Sequence, residues 1–501
     1  MTGWVEIVLA LLAGCFIWNV VPALWRYCIF CQRIRPFKSQ TQKPHWFWGH
    51  LKFIDMSKSM TESAAISVEN TTKKMTVFWL SFIPNLNSIH PDTAATILNL
   101  SEPKPKGRGE PYSIFTPFLG DGLVVSNGSK WERNRKLLTH AFHFDVLRPY
   151  VSIYNEATDI LLDKFAKQMS QGPESVDVMD SLNLITLDVI MRCSLSYDGN
   201  IQEHENHPYV KAIHEITRLS MERLSKPWHF LSWSLFMMSE NGKDYKRNVD
   251  FIHKFAKEII VKRRQEIAED PTLIKQKRKL DFLDVLLTAK DESGSGLSDV
   301  EILDEVSTFM FAGHDTTKAS LGWAIYHLGK YPEEQEKLYQ EVCKVTGDRK
   351  NIEWEDLSKL QRMTMFLKET LRMYPPAGST NRTLTRPLEI EGVTIPAGNV
   401  VGVNILAIHY RPDIFPNPTE FRPERFLPEN TEKRHPYAFL AFSAGSRNCI
   451  GRTFSVNEQK VVLSRLLKRF KVVLDEDHKV TPIPQFILQA KDGIKVRFEE
   501  R

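Results

Sequence analysis

Apolar residues recur at helical spacing through most of the stretch from about 129 to 375, whereas the last quarter of the chain alternates short apolar runs with turns and prolines. The pattern predicts a mainly α fold with a minor β region. The longest periodic run opens at Ser298, where Ser298-x-x-Glu301 forms a capping box, and closes near Lys330 ahead of Pro332. At about 1.5 Å per residue such a helix spans roughly 50 Å and must cross the whole molecule. A second predicted helix opens at Ser129-x-x-Glu132, another capping box, and presents Trp131 and Arg135 on one face at i,i+4. A third ends at Tyr374 before Pro375-Pro376 and carries Glu369 and Arg372 one turn apart. The apolar alternation from Met75 to Ile83 predicts a small N-terminal sheet, with partner strands between residues 387 and 408. No Gly/Ser linker, repeat or low-complexity tract divides the chain beyond residue 50.

The run best suited to crossing a bilayer lies at the N-terminus. From Trp4 to Trp25, 22 residues are interrupted only by Glu6, Asn19 and Pro22, and Arg26, Arg33, Arg35 and Lys38 follow with no basic residue ahead. This charge order predicts a retained signal-anchor transmembrane helix over 1–25, a basic, proline-containing linker over 26–50 and a single folded domain over 51–501 on the cytosolic side. A cleaved signal peptide and a membrane-surface helix are the alternatives. The six cysteines, at 15, 28, 31, 193, 343 and 449, are scattered, which fits a reducing compartment. Under this topology the sequons at Asn70, Asn99, Asn127 and Asn381 carry no sugar. A hydrophobic fraction of 42% and a charged fraction of 25% exclude extensive disorder, and a net charge of +5 is too weak to point to nucleic acid.

Candidate chemistry is concentrated in four places. Residues 442 to 451 read Phe-Ser-Ala-Gly-Ser-Arg-Asn-Cys-Ile-Gly, in which Gly445 and Gly451 permit positive φ and the close approach of a planar group. Arg447 sits two residues from Cys449, and a nearby cation favours the thiolate. Cys449 is therefore a candidate metal ligand; on haem iron a thiolate favours O–O cleavage. A buried cysteine in a β-bulge is the competing reading. On the long helix, Ala312-Gly-His-Asp-Thr-Thr puts Ala312, Asp315 and Thr316 on one face, and Gly313 omits a side chain where a cofactor or substrate would approach. Thr316 can bond back to the i−4 carbonyl, and an acid beside a hydroxyl suits proton delivery, although an ordinary helix kink would read the same way. Glu369, Arg372 and Arg425 of Pro423-Glu-Arg-Phe form a candidate brace for the Cys449 loop. Trp131, Arg135, Arg382 and Arg447, from separate parts of the chain, would suit a pair of carboxylates.

With these motifs in this order, the entire chain resembles the cytochrome P-450 superfamily of haem-thiolate monooxygenases. Phe442 to Gly451 matches the haem-binding loop, Glu369 to Arg372 the Glu-x-x-Arg helix, Pro423 to Phe426 the meander and Ala312 to Thr317 the oxygen-activating helix. Trp131, Arg135 and Arg382 match positions that meet the haem propionates. Leu119-Gly-Asp-Gly-Leu, the run from Arg135 to Phe144 and Phe309 to Thr317 are similar to family 4 of the animal enzymes. Ala312 departs from that family, since many members carry a glutamate there that can esterify the haem. Ala441 and Ser446 stand where prolines are common.

The resemblance implies a triangular, mostly helical fold around a non-covalent haem b. Cys449 would be the axial ligand, with Phe442 and Gly451 beside it and Ala312 and Gly313 opposite. Thr316 and Asp315 would deliver protons, and Trp131, Arg135, Arg382 and Arg447 would hold the propionates. One oxygen atom of O₂ would enter a lipophilic substrate, with electrons from NADPH through a cytochrome P-450 reductase and cytochrome b5 as a further candidate partner. That reductase must be a separate protein, because the chain has no Gly-x-Gly-x-x-Gly fingerprint. The implied location is the endoplasmic reticulum membrane. By analogy, the substrate walls are Phe115, Phe118, Leu119, Ala377, Gly378, Ile487 and Leu488, and the substrates are fatty acids or related lipids oxidised at or near the terminal carbon. A xenobiotic monooxygenase, a haem-thiolate isomerase or dehydratase, and a haem sensor are the alternatives. The intact Asp315-Thr316 pair counts against the last two.

Overall fold

The computed structural model describes residues 21–37, 43–50, 52, 61, 64, 65, 68, 72–107, 109–172, 175–275, 280–483 and 485–501. The expected membrane anchor falls largely on residues 1–20, outside the described residues. Residues 21–33 are helical, and among the described residues no helix is long and apolar enough to cross a membrane.

Apart from residues 21–33, the described helices of eight residues or more are α1 (Pro91–Leu98), α2 (Gly128–Thr139), α3 (Tyr150–Ser170), α4 (Val178–Leu195), α5 (Pro208–Ser225), α6 (Glu240–Glu269), α7 (Asp299–Lys330), α8 (Pro332–Thr346), α9 (Gln361–Met373) and α10 (Arg452–Arg469). The expected α-rich fold with a minor β region is what forms. Helix α7 has the predicted ends: Ser298 Oγ accepts from Glu301 N at 3.3 Å, and Glu301 Oε2 accepts from Ser298 N at 2.9 Å. Because α7 is buried along most of its length, it forms the axis on which α4, α6, α9 and α10 pack. The apolar core lies between these helices, where Trp323 stacks on Tyr374 at 4.0 Å and Phe165 on Phe498 at 4.6 Å.

Helix α2 starts differently from its sequence signal. Asn127 is the N-cap and Gly128 takes φ +57°, yet neither the expected Ser129/Glu132 box nor any other side-chain cap bond forms. The Asn127 side chain is committed elsewhere: Oδ1 accepts from Lys104 N at 2.7 Å and from Arg447 Nη2 at 3.2 Å. Tertiary bonds thus displace the local cap.

The main sheet contains β1 (Met75–Leu80), β2 (Ile83–Ser88), β3 (Ser379–Thr383) and β4 (Val400–Asn404) in the order β1-β2-β4-β3. β1 and β2 are antiparallel, β2 and β4 are parallel with Leu86 opposite Val401, and β3 is antiparallel to β4. Residues 388–395, expected to join this sheet, instead form a separate hairpin through Glu391 and Gly392, both at positive φ. β5 (Phe470–Leu474) and β6 (Lys495–Glu500) pair near the C-terminus and are joined by Val176–Asp177. Phe30, Ile34 and Phe37 are buried against Leu86, Ile97 and Val401 beneath the main sheet. At about 1.5–3 kcal/mol for each buried apolar side chain, this contact seats the stretch after the expected anchor firmly on the domain.

Candidate active site

The 442–451 loop is built so that one thiol faces inward. Gly445 has φ +73°, and a Cβ there would lie 2.3 Å from Leu98 O at the end of α1, so both its conformation and its neighbour demand glycine. Cys449 N donates to Phe442 O at 2.9 Å and Asn448 N to Gly445 O at 3.2 Å, which closes the loop into a tight turn ahead of α10. Cys449 then opens onto a cavity of about 300 Å³. Burial pushes its thiol pKa up, while a backbone N–H at Gly451 and the Arg135 and Arg452 cations act the other way. Gly451 does not need positive φ, contrary to the sequence reading: its φ is −86°, and no protein atom lies within 4 Å of where its Cβ would be. It leaves space at the cavity wall.

Helix α7 forms the opposite wall. Ala312, Gly313 and Thr316 line the cavity, and Thr316 Oγ1 donates back to Ala312 O at 2.7 Å, the i−4 bond expected from the sequence. Gly313 also has a packing role that the sequence reading missed, because a Cβ there would come within 2.7 Å of Ile190 Cδ1 on α4. The expected common face of Ala312, Thr316 and Asp315 divides. Asp315 lines a second cavity on another side of α7, where Lys318 Nζ donates to its Oδ1 at 2.5 Å.

Cations gather at one rim of the first cavity. The Arg447 guanidinium stacks over the Trp131 ring at 4.2 Å, and its Nη1 donates to Ser126 O at 2.9 Å. Arg135 holds Asn448 through Nη1 to its carbonyl at 2.9 Å and Nη2 to its Oδ1 at 2.8 Å. Arg382 is behind the lining; its Nη1 reaches Thr380 Oγ1 at 3.0 Å, and its buried Nε has no partner. Lys104 completes the group without having been anticipated, donating to Tyr112 OH at 2.7 Å and Thr380 Oγ1 at 2.8 Å. Its only sequence signal is a position between Pro103 and Pro105, which keeps the segment extended.

Burial and the charges of Arg382 and Arg447 drive the Lys104 ammonium well below its ordinary pKa, and burial first and Arg382 second push Arg447 down to about 10. Among the described residues no aspartate or glutamate lines this cavity. A half-buried positive cluster without an anion among the described lining residues, a thiol facing the same cavity and a largely apolar chamber fit a planar macrocycle bearing two carboxylates.

Helix α9 carries the expected carboxylate of the brace. Glu369, fully buried, accepts from Arg372 Nε at 2.8 Å and Nη2 at 2.9 Å, from Arg425 Nε at 3.1 Å and from Arg422 N at 2.9 Å. The expected three-residue brace is therefore assembled. His409, which the sequence did not single out, extends it: Nδ1 bonds Arg372 O at 3.0 Å, and Nε2 accepts from Leu440 N at 2.9 Å, two residues before Phe442.

The sequence matches the family model described as Cytochrome P450 over residues 40–498. The chain belongs to the cytochrome P450 family. It is 38% identical to rat Cytochrome P450 4F6, with 98% of this chain and 92% of the relative aligned, and 38% identical to human Cytochrome P450 4F2, with 95% and 92% aligned. The human protein named Ultra-long-chain fatty acid omega-hydroxylase is 37% identical, with 94% of this chain and 90% of that protein aligned. The crystal structure of the cytochrome P450DA heme domain superposes with a TM-score of 0.79 at 24% identity, over 93% of this chain and 97% of that one. The P450 described here is thus a monooxygenase that uses haem b with cysteine-thiolate ligation, O₂, and NADPH-derived electrons passed through a reductase.

Of the expected substrate walls in this P450, Ala377 lines the cavity, together with Leu123, Ile190 and Phe309, which were not anticipated. Phe115, Phe118, Leu119, Gly378, Ile487 and Leu488 are not part of that lining. Phe115 packs on Phe486 at 4.6 Å and Phe118 on Phe311 at 5.2 Å, while Leu488 N donates to Pro376 O and Gly378 O accepts from Ile405 N, both at 2.9 Å. Leu488 and Gly378 thus bond Pro376 and Ile405, which do line the cavity.

Proposed function

We propose that this P450 is a membrane-anchored monooxygenase that hydroxylates fatty acids or related lipids at or near the terminal carbon, with Cys449 as the thiolate ligand of its haem. The observation that carries the reading is the inward thiol of Cys449 beneath a largely apolar chamber whose strong charges, among the described residues, are all cations. Lys104, Arg135, Arg382 and Arg447 would take the propionates, with Trp131 fixing Arg447. Haem, when bound, supplies the activation of O₂ and the transfer of one oxygen atom.

The chain's own groups do the rest. The bond from Cys449 N to Phe442 O fixes the loop that aims the sulfur, and Glu369, Arg372 and Arg425 keep that loop from spreading. Leu123, Ile190 and Phe309 exclude water and favour an alkyl chain end. Thr316 keeps a hydroxyl proton at the chamber wall, and Asp315 keeps an exchangeable carboxylate on the other side of α7.

The name of the 37% identical human relative supports the lipid assignment. Ala312 gives the chamber a methyl group and no carboxyl, so the haem stays free of an ester there, and positions next to the terminal carbon come within reach. Residues 1–25 would serve as the anchor and 26–50 as the basic, proline-containing linker, placing 51–501 on the cytosolic face of the endoplasmic reticulum, where a reductase and cytochrome b5 are available.

The test begins with the reduced carbon monoxide spectrum of the wild type and of Cys449→Ala. A thiolate red shift in the first and none in the second is expected; no shift in the wild type would remove the ligand assignment. Incubation with a panel of fatty acids and drug-like probes then decides substrate class. Turnover confined to the drug-like probes would overturn the lipid reading.

A further inference from the structure

The Leu119-Gly-Asp-Gly-Leu run lies across the first half of α7, just ahead of the α7 residues that line the Cys449 chamber. Its backbone is fastened to three side chains of that helix within one turn. Asp304 Oδ2 accepts from Asp121 N at 2.9 Å, Glu305 Oε2 accepts from Leu123 N at 2.9 Å, and Thr308 Oγ1 donates to Leu119 O at 3.2 Å. The two glycines let the run come this close, since a Cβ on Gly120 would strike the Asp304 carboxylate and one on Gly122 would lie 2.7 Å from Asp304 O.

Of the two acids, Glu305 is the fully buried one, and its second oxygen, Oε1, accepts from Asn134 Nδ2 on α2 at 2.8 Å. One carboxyl thus joins three elements: the run ahead of α2, α2 itself and α7. On the first side it holds Leu123, which lines the chamber together with Thr308 and Phe309, three and four residues further along α7. On the second it holds Asn134, the neighbour of Arg135 at the cation rim. Burying a carboxyl is costly, and the two bonds offset that cost by fixing backbone and side chain in one arrangement.

We propose that Glu305 is a specificity-determining positioning residue, which clasps Leu123 to α7 and so sets the width of the chamber on that side and the carbon of an alkyl chain that comes to the reacting position. This deepens the lipid reading and rests on it. Glu305 touches neither substrate nor haem; it acts through Leu123. Without the carboxyl, the Leu123 N–H turns to water, the run lifts from α7 and the wall recedes. A wider chamber lets the chain end bend aside, so the carbon next to the terminal one is presented more often.

The test uses full-length, haem-loaded enzyme with Glu305→Met, Glu305→Gln, Leu123→Ala and the Glu305→Met/Leu123→Ala double variant, each checked for an intact thiolate spectrum. Methionine keeps the bulk and removes both acceptors. Glutamine keeps an acceptor for Leu123 N, and Asn134 can turn its amide to meet the new NH₂, giving up only its 3.2 Å bond from the part-exposed Arg133. Hydrogen exchange in the peptide spanning 119–126 is expected to quicken about fivefold or more in Glu305→Met and to keep the wild-type rate in Glu305→Gln. In spectral titrations, the ratio of the dissociation constant for 4-phenylimidazole to that for imidazole is expected to fall about threefold or more in Glu305→Met and in Leu123→Ala, and no further in the double variant. With dodecanoic acid, the ratio of terminal to penultimate hydroxylation is expected to fall in the same variants and to be kept in Glu305→Gln. Glu305→Ser, whose short side chain leaves room for a water at Leu123 N, takes the place of the methionine variant should that fail to fold. Wild-type exchange in Glu305→Met would overturn the clasp, and faster exchange with an unchanged titration ratio would overturn its control of the width. A wild type that leaves dodecanoic acid untouched while oxidising drug-like probes would instead remove the lipid reading, a separate failure, with exchange and titration still deciding whether Glu305 sets the wall.

Discussion

Replacing His409 by phenylalanine separates the hold on the thiol loop from everything else in the brace. His409 is fully buried and joins two elements at once, bonding Arg372 O on α9 and accepting from Leu440 N ahead of the Cys449 loop. Because Leu440 can only donate, Nε2 must be the acceptor and the proton must sit on Nδ1. Burial, then the adjacent Arg372 charge, holds the imidazole pKa down to about 3, so it is neutral at every physiological pH. Phenylalanine keeps the ring that stacks on Phe439 at 5.5 Å and 12°, and it leaves the four hydrogen bonds to Glu369 untouched.

What the variant strands is one buried carbonyl and one buried N–H. Each unpaired group costs about 1–3 kcal/mol, or about 2–6 kcal/mol for the two. Only the Leu440 N–H regains a partner when the loop is released, so at about 1.4 kcal/mol per tenfold the ratio of seated to released loop falls by roughly 5-fold to 140-fold. The reduced carbon monoxide spectrum reads this directly, as the share and lifetime of the thiolate-shifted band. His409→Phe should lose most of that band within the time that the wild type keeps it. A variant with the wild-type band and lifetime would show that the loop is held by its own turns and Cys449 N–H alone, and the link through Leu440 would have to be abandoned.

Four further outcomes follow from the same geometry. Acid–solvent extraction should release the haem from the wild-type chain, because no carboxylate lines the chamber among the described residues, whereas Ala312→Glu should retain part of it after turnover; retention in the wild type would refute the assignment. Lys104→Met removes a charged partner worth about 1.5–3 kcal/mol, so haem transfer to apomyoglobin should quicken about tenfold or more, and an unchanged rate would exclude Lys104 as a propionate contact. Glu458 is fully buried with both carboxyl oxygens unpartnered, and burial raises its pKa. The unfolded chain sheds that proton from pH about 4.5 upward, so Glu458→Gln should gain stability over the wild type by up to about 1.4 kcal/mol per pH unit above that point and nothing below it; a difference in melting temperature that does not grow with pH would contradict this. In acid the sign reverses for the imidazoles: His314, held down to about 4 by burial, and His409 are neutral when folded and charged when unfolded below about 6.5. Each should subtract about 1.4 kcal/mol per pH unit as pH falls from there, visible as earlier loss of the thiolate band below pH 6.

The sequence was readable wherever a role depends on neighbours along the chain. Both ends of α7 follow from Ser298, Glu301 and Pro332, and the Thr316 back-bond follows from its own i−4 carbonyl. Cys449 was readable for the same reason, since the turn that presents it is made within ten residues. Legibility fails where distant segments compete for one side chain. Asn127 gives its oxygen to Lys104 and Arg447, so the predicted cap of α2 never forms. Asp315 lies three residues from Ala312, about 60° off the helix face they were expected to share, and Lys318 fixes it to the other side. β3 was invisible because Ser-Thr-Asn-Arg-Thr has no apolar alternation, and its inward residues are polar ones that crowd the cation cluster.

The residues that local sequence could not supply share one physical mark, a buried polar group whose partner comes from elsewhere or is missing. Lys104 and Arg382 are cations without an anion, His409 bridges segments that are 37 and 31 residues away, and Glu458 has no partner at all. Such groups are costly unless something compensates them. In all four cases the compensation is chemical and specific: two carboxylates for the two cations, a fixed tautomer for His409 and a retained proton for Glu458. For Arg382 its neighbours Lys104 and Arg447 make the same demand, so the cluster as a whole, more than any single arginine, marks where a dianionic cofactor belongs. A patterned search for one arginine at the family's spacing finds Arg382 and misses Lys104. A search for unpaired buried charge finds both, and it also places them on the same side of the chamber as the Trp131–Arg447 stack.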